Sequence, residues 1–159
     1  MPAFPKLVAV AAIACLIAGC ETPAPQKKST ATARRVSHVR TTAYTHSEKG
    51  GHRNAIGTSL SRAKEMSAAS DWSRFPLGTR FRIVGTEEHY IIDDYGGALI
   101  GTNTIDLYKT NKFAMRQWGV RMVDIDILEW GSKQQSLKVL TPRRKNRLVR
   151  RMIAGLEAK

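Results

Sequence analysis

The sequence predicts a mainly β protein built on a small closed barrel. Five short runs rich in β-branched and aromatic residues follow one another between residues 39 and 130, and turns containing glycine or proline separate them. One convincing helix interrupts the runs. Many short strands within about 90 residues are typical of a closed barrel, which leaves no exposed sheet edge.

Composition limits the chain to one domain and excludes several classes of protein. Its 159 residues are 42% apolar and 25% charged, which suits a single folded core but not a second cofactor-binding domain. Two cysteines with no accompanying Cys/His spacing fit neither a disulfide scaffold nor a zinc module. We therefore expect no metal and no cofactor.

The net charge of +13 is concentrated at the two ends of the chain. Residues 41–131 carry eleven basic and eleven acidic side chains, whereas residues 132–159 carry nine basic side chains and one acidic one. A domain that reads DNA or RNA carries its basic stripe on the folded body. Because this body is neutral, we do not expect nucleic acid as a partner.

The N-terminus is predicted to be a lipoprotein signal peptide over residues 1–19. Residues 7–17 are an unbroken apolar run, too short to span a bilayer, and Ala18-Gly19-Cys20 resembles the bacterial lipobox. Cleavage before Cys20 and acylation of its thiol would anchor the protein in the bacterial envelope, facing the periplasm, with the outer membrane favoured. An ordinary secretory signal or an uncleaved anchor is the alternative. Residues 20–38 are predicted to be a flexible tether.

The predicted strands occupy the body in order, at residues 39–45, 79–84, 89–93, 104–108 and 120–130. In the last of them, apolar residues alternate with Asp124 and Asp126, which indicates a half-buried strand whose aspartates form its polar face. The single helix is predicted to begin at a Thr110 cap and end at Gly119, with Phe113, Ala114 and Trp118 on one side.

Residues 132–159 are predicted to be a tail with a basic amphipathic helix. Thr141-Pro142 is a typical helix start. One helical face would be apolar and the rest basic: Leu148, Val149, Met152, Ile153 and Leu156 against Arg143, Arg144, Lys145, Arg147, Arg150 and Arg151. Two interpretations remain open. The helix could lie on anionic lipid or an anionic wall polymer, or it could dock its apolar stripe on the barrel.

Three aspartates stand in recognisable surroundings. Asp71 precedes a Pro-Leu-Gly-Thr turn at residues 76–79, Asp94 opens Asp94-Tyr95-Gly96-Gly97-Ala98, and Asp106 follows Ile105. Their order and spacing resemble the 3D domain, named for three aspartates, of stationary-phase survival proteins and membrane-bound lytic transglycosylase A. The resemblance covers residues 39–131. The sequence departs from the family at Tyr95, where threonine is common, and by one extra residue before Asp106.

This resemblance implies a six-stranded double-psi β-barrel that cleaves the β-1,4 bond between N-acetylmuramic acid and N-acetylglucosamine in peptidoglycan, leaving a 1,6-anhydro end. It makes Asp106 the general acid/base and Asp94 its partner, while Asp71 orders the site. The chemistry needs a carboxylic acid that stays protonated near neutral pH, which burial or a second carboxylate can provide.

Sugar binding suggests further candidates. Tyr44 and Tyr95 could stack on pyranose rings, as could Trp72, whereas Trp118 better fits the core. Small residues in the motif loops would let backbone amides approach the ligand, and Thr58 could add a polar contact. These loop residues are Gly96, Gly97, Ala98 and Gly101.

Two other functions remain possible for the predicted monomer. It could be a non-catalytic peptidoglycan-binding lipoprotein, or a hydrolase that uses water between two carboxylates. An aspartic protease needs two Asp-Thr-Gly loops, and Asp94-Tyr95-Gly96 is a single, altered one.

Overall fold

The computed structural model describes Met1 and residues 34–47, 51–61 and 65–158. The predicted signal peptide, Cys20 and most of the predicted tether lie outside the described residues. Within them the chain forms strands β1 Arg34–Tyr44, β2 Met66–Ala69, β3 Arg80–Ile83, β4 His89–Asp94, β5 Ile105–Tyr108 and β6 Arg121–Glu129, and helices α1 Lys112–Trp118, α2 Lys133–Leu140 and α3 Arg147–Glu157.

The strands close into a six-stranded barrel in the order β1-β5-β2-β4-β3-β6. Strands β1 and β5 are parallel, as are β2 and β4. In the sequence, β2 and β4 both lie between β1 and β5. The remaining neighbours are antiparallel. The mainly β, closed-barrel prediction is confirmed.

Two strands differ from the prediction. Strand β1 begins at Arg34 rather than at residue 39, because residues 34–36 pair with β6 before a bulge that places His38 at a φ of 55°. Residues 34–38 therefore extend the strand rather than the tether. Strand β2 was not predicted as a strand, since Met66-Ser-Ala-Ala has low β propensity. Its two neighbours, β4 and β5, impose the extended conformation.

Asp126 also differs from its prediction. Its side chain is 5% exposed and is not on a solvated face. Arg35 on β1 and Arg82 on β3 are its register partners and both donate to its carboxylate, at 2.9 and 3.0 Å. The alternation of β6 was read correctly, but the partner strands cover the aspartate.

Helix α1 is capped one residue later than predicted. The Asn111 carboxamide oxygen accepts from the backbone N–H of Ala114 at 2.8 Å, and Gly119 ends the helix as expected. Phe113 was placed on the same side of the helix as Trp118, yet it is 77% exposed. Trp118 packs against the core and its indole N–H donates to Thr41.

The tail folds onto the barrel. Thr141-Pro142 forms a single turn between α2 and α3, not the predicted helix start, and Asn146 caps α3. Of the predicted stripe, Val149, Met152 and Leu156 are buried and belong to the same core as the barrel, and Leu148 and Ile153 pack against it. The apolar face of α3 thus docks on the barrel, as one of the two interpretations expected. Among the described residues, no helix has both the length and the apolar character needed to cross a bilayer.

Candidate active site

The barrel register places Asp94 and Asp106 on either side of Ala69. Strand β2 lies between β4 and β5, and Ala69 pairs with Asp94 on one strand and with Asp106 on the other. Two strand spacings separate the backbones of the two aspartates by about 10 Å. Residues in register share a face of the sheet, so both carboxylates extend over the small Ala69 side chain.

Both carboxylates line one cleft of about 250 Å³. Five more of the predicted site residues line the same cleft: Tyr44, Tyr95, Gly96, Gly97 and Ala98. The structure thus assembles most of the predicted site from three separate segments of the chain. The cleft also includes residues that sequence reasoning missed: Thr45, Gly51, Arg53, Leu60, Ala69 and Leu99.

Asp94 is held by donors on its Oδ1 atom. The backbone N–H groups of Tyr95 and Ala55 donate to this oxygen at 2.9 and 3.1 Å, and the Tyr44 hydroxyl also hydrogen-bonds to the carboxyl. Burial raises the pKa of Asp94, and repulsion from Asp106 raises it further, while these hydrogen bonds only partly oppose the shift. Asp94 therefore resists ionisation more than an ordinary aspartate does.

Asp106 is half-buried and is oriented by Thr42. The two residues are register partners on β5 and β1, and the Thr42 hydroxyl lies 2.5 Å from Asp106 Oδ1. A backbone N–H can only donate, but a hydroxyl can donate to a carboxylate or accept from a carboxylic acid. The Thr42 contact is consequently compatible with both protonation states of Asp106, as a general acid/base requires.

Behind the cleft, Tyr44 connects Asp94 to a fully buried carboxyl. The Tyr44 hydroxyl lies 3.1 Å from Ser67 Oγ, and Ser67 in turn donates to Asp93, which is 0% exposed. Burial raises the pKa of Tyr44, so this hydroxyl keeps its proton. Tyr44 is placed to hold Asp94 rather than to stack on a sugar.

Asp71 lies outside the cleft lining and cross-links two loops. It is 3% exposed, its Oδ1 accepts from the Ser73 N–H at 2.9 Å, and its Oδ2 accepts from the Gly101 N–H at 2.7 Å. The second bond fixes the end of the loop that begins after Asp94. This geometry fits the ordering role that the resemblance implies for Asp71.

Three further candidates are not at the cleft. Trp72 is fully buried and donates its indole N–H to the Asp94 carbonyl, so it offers no face to a sugar. Thr58 is exposed, and its backbone N–H and hydroxyl both contact Asn54. Gly101 has a φ of +88° and faces Arg151 of the tail. Sequence spacing did not reveal these orientations because tertiary packing sets them.

A larger cavity, about 540 Å³, includes Lys109 among its lining residues. The ammonium of Lys109 is bonded to Glu88 at 2.7 Å and to the Tyr90 hydroxyl at 2.8 Å, and lies 4.3 Å from the Trp118 ring centroid. Arg121 lies 4.2 Å from the same ring. These cations are held by contacts within the fold, although three glutamates, Glu65, Glu87 and Glu88, also line this cavity. The aspartates Asp94 and Asp106 line the smaller cleft.

Within the ranges that the structure describes, no three His, Cys, Asp or Glu side chains are grouped as metal ligands would be. The two carboxyls of the cleft instead repel one another, so each makes ionisation of the other less favourable.

The three aspartates occur in one family-matched segment. Residues 66–129 match a 3D domain. The match confirms the resemblance seen in the sequence and contains Asp71, Asp94 and Asp106, but it leaves out β1 and the tail. The 3D domain is associated with proteins that act on peptidoglycan in the manner of lytic transglycosylases. No curated protein matches the chain.

Proposed function

We propose that this protein is a lytic transglycosylase that cleaves the β-1,4 bond between N-acetylmuramic acid and N-acetylglucosamine and leaves a 1,6-anhydro end. The observation that carries the proposal is the pair of carboxylates across Ala69 in the cleft of a 3D domain. Neither the family match nor the cleft alone would specify this reaction. Together they supply a wall-associated domain and a pair of groups suited to moving one proton.

In the proposed reaction, Asp106 starts as the carboxylic acid. It gives its proton to the glycosidic oxygen as the bond from that oxygen to the anomeric carbon of muramic acid breaks. The Asp106 carboxylate then removes the proton of the 6-hydroxyl on the same sugar. The freed oxygen attacks the anomeric carbon and closes the anhydro ring, so the acid is regenerated and no water is consumed.

Asp94 supports this cycle through its electrostatic coupling to Asp106. Because Asp94 and Asp106 face one cleft, ionisation of one makes ionisation of the other less favourable. The pair can thus hold a proton at a higher pH than a solvated aspartate could. Tyr44 and the N–H groups of Ala55 and Tyr95 keep Asp94 in place while the proton is transferred.

The sugar would lie against the Tyr95 side of the cleft. Tyr95 contacts the buried Trp72 edge-on, with ring centroids 5.2 Å apart, so its ring is held at the cleft wall. Gly96, Gly97 and Ala98 follow it along the lining. A fixed aromatic ring and accessible backbone are the groups that pyranose binding uses.

We also propose that the chain is anchored in the bacterial envelope by a lipid on Cys20, facing the periplasm, with the outer membrane favoured over the inner one. The apolar run at residues 7–17 and the small residues before Cys20 support this proposal. Replacing Cys20 by alanine should move the protein from the membrane fraction to the soluble periplasm. Retention of the Cys20→Ala variant in membranes would contradict lipidation.

The reaction is tested by digesting purified sacculi with the protein and analysing the products by mass spectrometry. Anhydro-ended fragments are expected from the wild type and from Asp124→Asn, a matched control on β6. The Asp106→Asn variant should release none. Reducing ends would instead indicate a hydrolase, and binding to sacculi without cleavage would indicate a non-catalytic wall-binding protein.

A further inference from the structure

The tail brings an arginine to the rim of the cleft, although it lies outside the family-matched segment. Arg143 Nη2 donates to the Ala55 carbonyl at 2.8 Å, and Nη1 donates to the Tyr95 hydroxyl at 3.3 Å. Its guanidinium carbon is 5.9 Å from the centroid of the Tyr95 ring. Arg143 therefore bridges the two loops whose N–H groups hold Asp94.

Close packing fixes the position of the tail beside these loops. A Cβ atom on Gly97 would lie 3.0 Å from Leu148 Cδ1, and one on Gly101 would lie 2.6 Å from the Arg151 guanidinium. A larger side chain at either position would displace these tail side chains, and the φ of +88° at Gly101 itself favours glycine. Arg143 therefore belongs to a segment that packs against the loop after Asp94.

A second arginine, Arg53, lines the cleft itself. Arg53 Nη1 donates to the Gly57 carbonyl at 2.7 Å, so both arginines bind the loop that carries Ala55. A guanidinium has five N–H donors. Bonds to described residues use two of them on Arg143 and one on Arg53, and both side chains are exposed. Both can donate to a ligand without leaving their present positions.

Charge in this region differs with exposure. Asp94 and Asp106 are half-buried, whereas Arg53 and Arg143 are exposed. A ligand that meets both sets has an uncharged part for the carboxylates and an anionic part for the arginines. A planar guanidinium matches a carboxylate with two parallel hydrogen bonds.

We propose that Arg53 and Arg143 form a carboxylate subsite that selects glycan strands carrying peptide stems. This inference rests on the proposed function, because it takes a wall glycan as the ligand in the cleft. The sugar lies against the acidic pair, and a carboxylate of the attached peptide reaches the arginines. A flat anionic membrane is disfavoured as the partner of Arg143, since this guanidinium contacts the cleft-lining Tyr95.

The test measures equilibrium binding in the Asp106→Asn background, so that no turnover intervenes. Two probes are compared: glycan strands that carry their peptides, and peptide-free chitin strands, because an amidase would leave a lactyl carboxylate on every muramic acid. Arg53→Gln and Arg143→Gln should each weaken binding of the peptide-bearing strands about tenfold at low salt, with a smaller effect at high salt. Binding of the peptide-free strands should not change.

Two control variants separate recognition from loop support. Arg144→Gln removes the same charge from the neighbouring position and should bind both probes normally. Arg143→Lys keeps the charge but loses the planar fork, so it should recover part of the lost affinity. Unfolding temperatures of all variants show whether the fold is intact.

Several results would overturn the subsite. An equal loss of affinity for both probes would mean that Arg143 only supports a loop, and an equal loss in Arg144→Gln would mean a diffuse basic surface. Reduced binding to phosphatidylglycerol vesicles, with unchanged binding to strands, would assign these arginines to membrane contact. With Asp106 intact, cleavage by Arg53→Gln and Arg143→Gln with an unaltered preference for peptide-bearing strands would refute the subsite alone. Binding of strands by the wild type without cleavage would refute the proposed reaction alone. No binding of either strand by the wild type would refute both.

Discussion

Asp126 on the barrel wall and Asp94 in the cleft have pKa values shifted in opposite directions by their neighbours. Asp126 has an arginine as its register partner on each neighbouring strand, and these two guanidinium groups hold its pKa below the usual range. In the cleft the pattern is reversed, because an alanine has an aspartate as its register partner on each side. There, burial and the second carboxylate raise the pKa of Asp94.

The difference shows that strand register decides what an aspartate does in this barrel. Charges of opposite sign in neighbouring strands stabilise the folded chain, whereas carboxylates placed across a small residue oppose each other's ionisation. Within the described ranges no arginine or lysine pairs with Asp94. The repulsion that makes its ionisation unfavourable acts equally on Asp106, the proposed acid.

The largest expected effect comes from Asp106→Asn. Asparagine keeps the shape and can still accept from Thr42, but it cannot carry the proton. We expect cleavage of sacculi to fall by at least about a hundredfold, in line with the loss of a general acid. Circular dichroism and the unfolding temperature should stay close to wild type. Cleavage at the wild-type rate would remove Asp106 from the reaction.

A smaller loss is expected from Asp94→Asn, about tenfold in cleavage rate, because it removes the charge beside Asp106 but not the acid itself. The pH dependence of cleavage provides the sharper readout. With only one carboxyl left in the cleft, the alkaline limb of the profile should move to lower pH. An unchanged profile would show that the two carboxyls do not interact.

Asp94 and Asp126 should affect the free energy of unfolding with opposite signs of pH dependence. The pKa of Asp94 is raised in the folded state, so its contribution is present at low pH and is lost as pH rises above 3.8 through the raised pKa. The pKa of Asp126 is lowered, so its contribution is present above 3.8 and is lost as pH falls through the lowered pKa.

Thermal unfolding of Asp126→Asn tests whether the two arginines stabilise the folded chain through the charge of Asp126. At neutral pH the variant should unfold a few degrees below wild type, of the order expected for one lost interaction in a domain of this size. The difference should shrink as the pH is lowered below 3.8. Cleavage per folded molecule should be unchanged. A Tm difference that persists undiminished in acid would mean that packing, not charge, is what Asp126 supplies.

The smallest effect is expected from Tyr44→Phe, which removes the hydroxyl between Asp94 and Ser67 but keeps the ring. That hydroxyl lowers the pKa of Asp94 against the effect of burial, so its loss should raise the pKa further. A fall of about threefold in cleavage is expected, since one hydrogen bond to a charged group is lost. Equal cleavage by Tyr44→Phe across the pH range would leave Tyr44 a packing residue only.

Sequence reasoning found the parts of the site that depend on local patterns. The Asp94 loop and the Asp106 strand have flanking residues that mark them, and four of the other cleft residues, Tyr95 to Ala98, lie within the loop. Strand β2 was missed because its residues do not favour a strand on their own, although it is the strand that separates the two aspartates.

The other features that sequence reasoning did not find depend on contacts between residues far apart in the chain. Asp126 was placed on a solvated face because a single strand cannot show that two arginines cover it. Arg143 was assigned to a basic helical face, since its contact with Ala55 joins residues far apart in the chain. Docking of the tail places Arg143 and brings Leu148 and Arg151 against Gly97 and Gly101.

The most direct measurement is a carbon-13 NMR titration of the Asp94 carboxyl in the wild type and in Asp106→Asn. The account predicts a wild-type midpoint above the ordinary aspartate value of 3.8, and a shift toward lower pH once Asp106 no longer carries charge. A midpoint at or below 3.8, or one that Asp106→Asn leaves in place, would show that the two carboxyls across Ala69 do not oppose each other's ionisation.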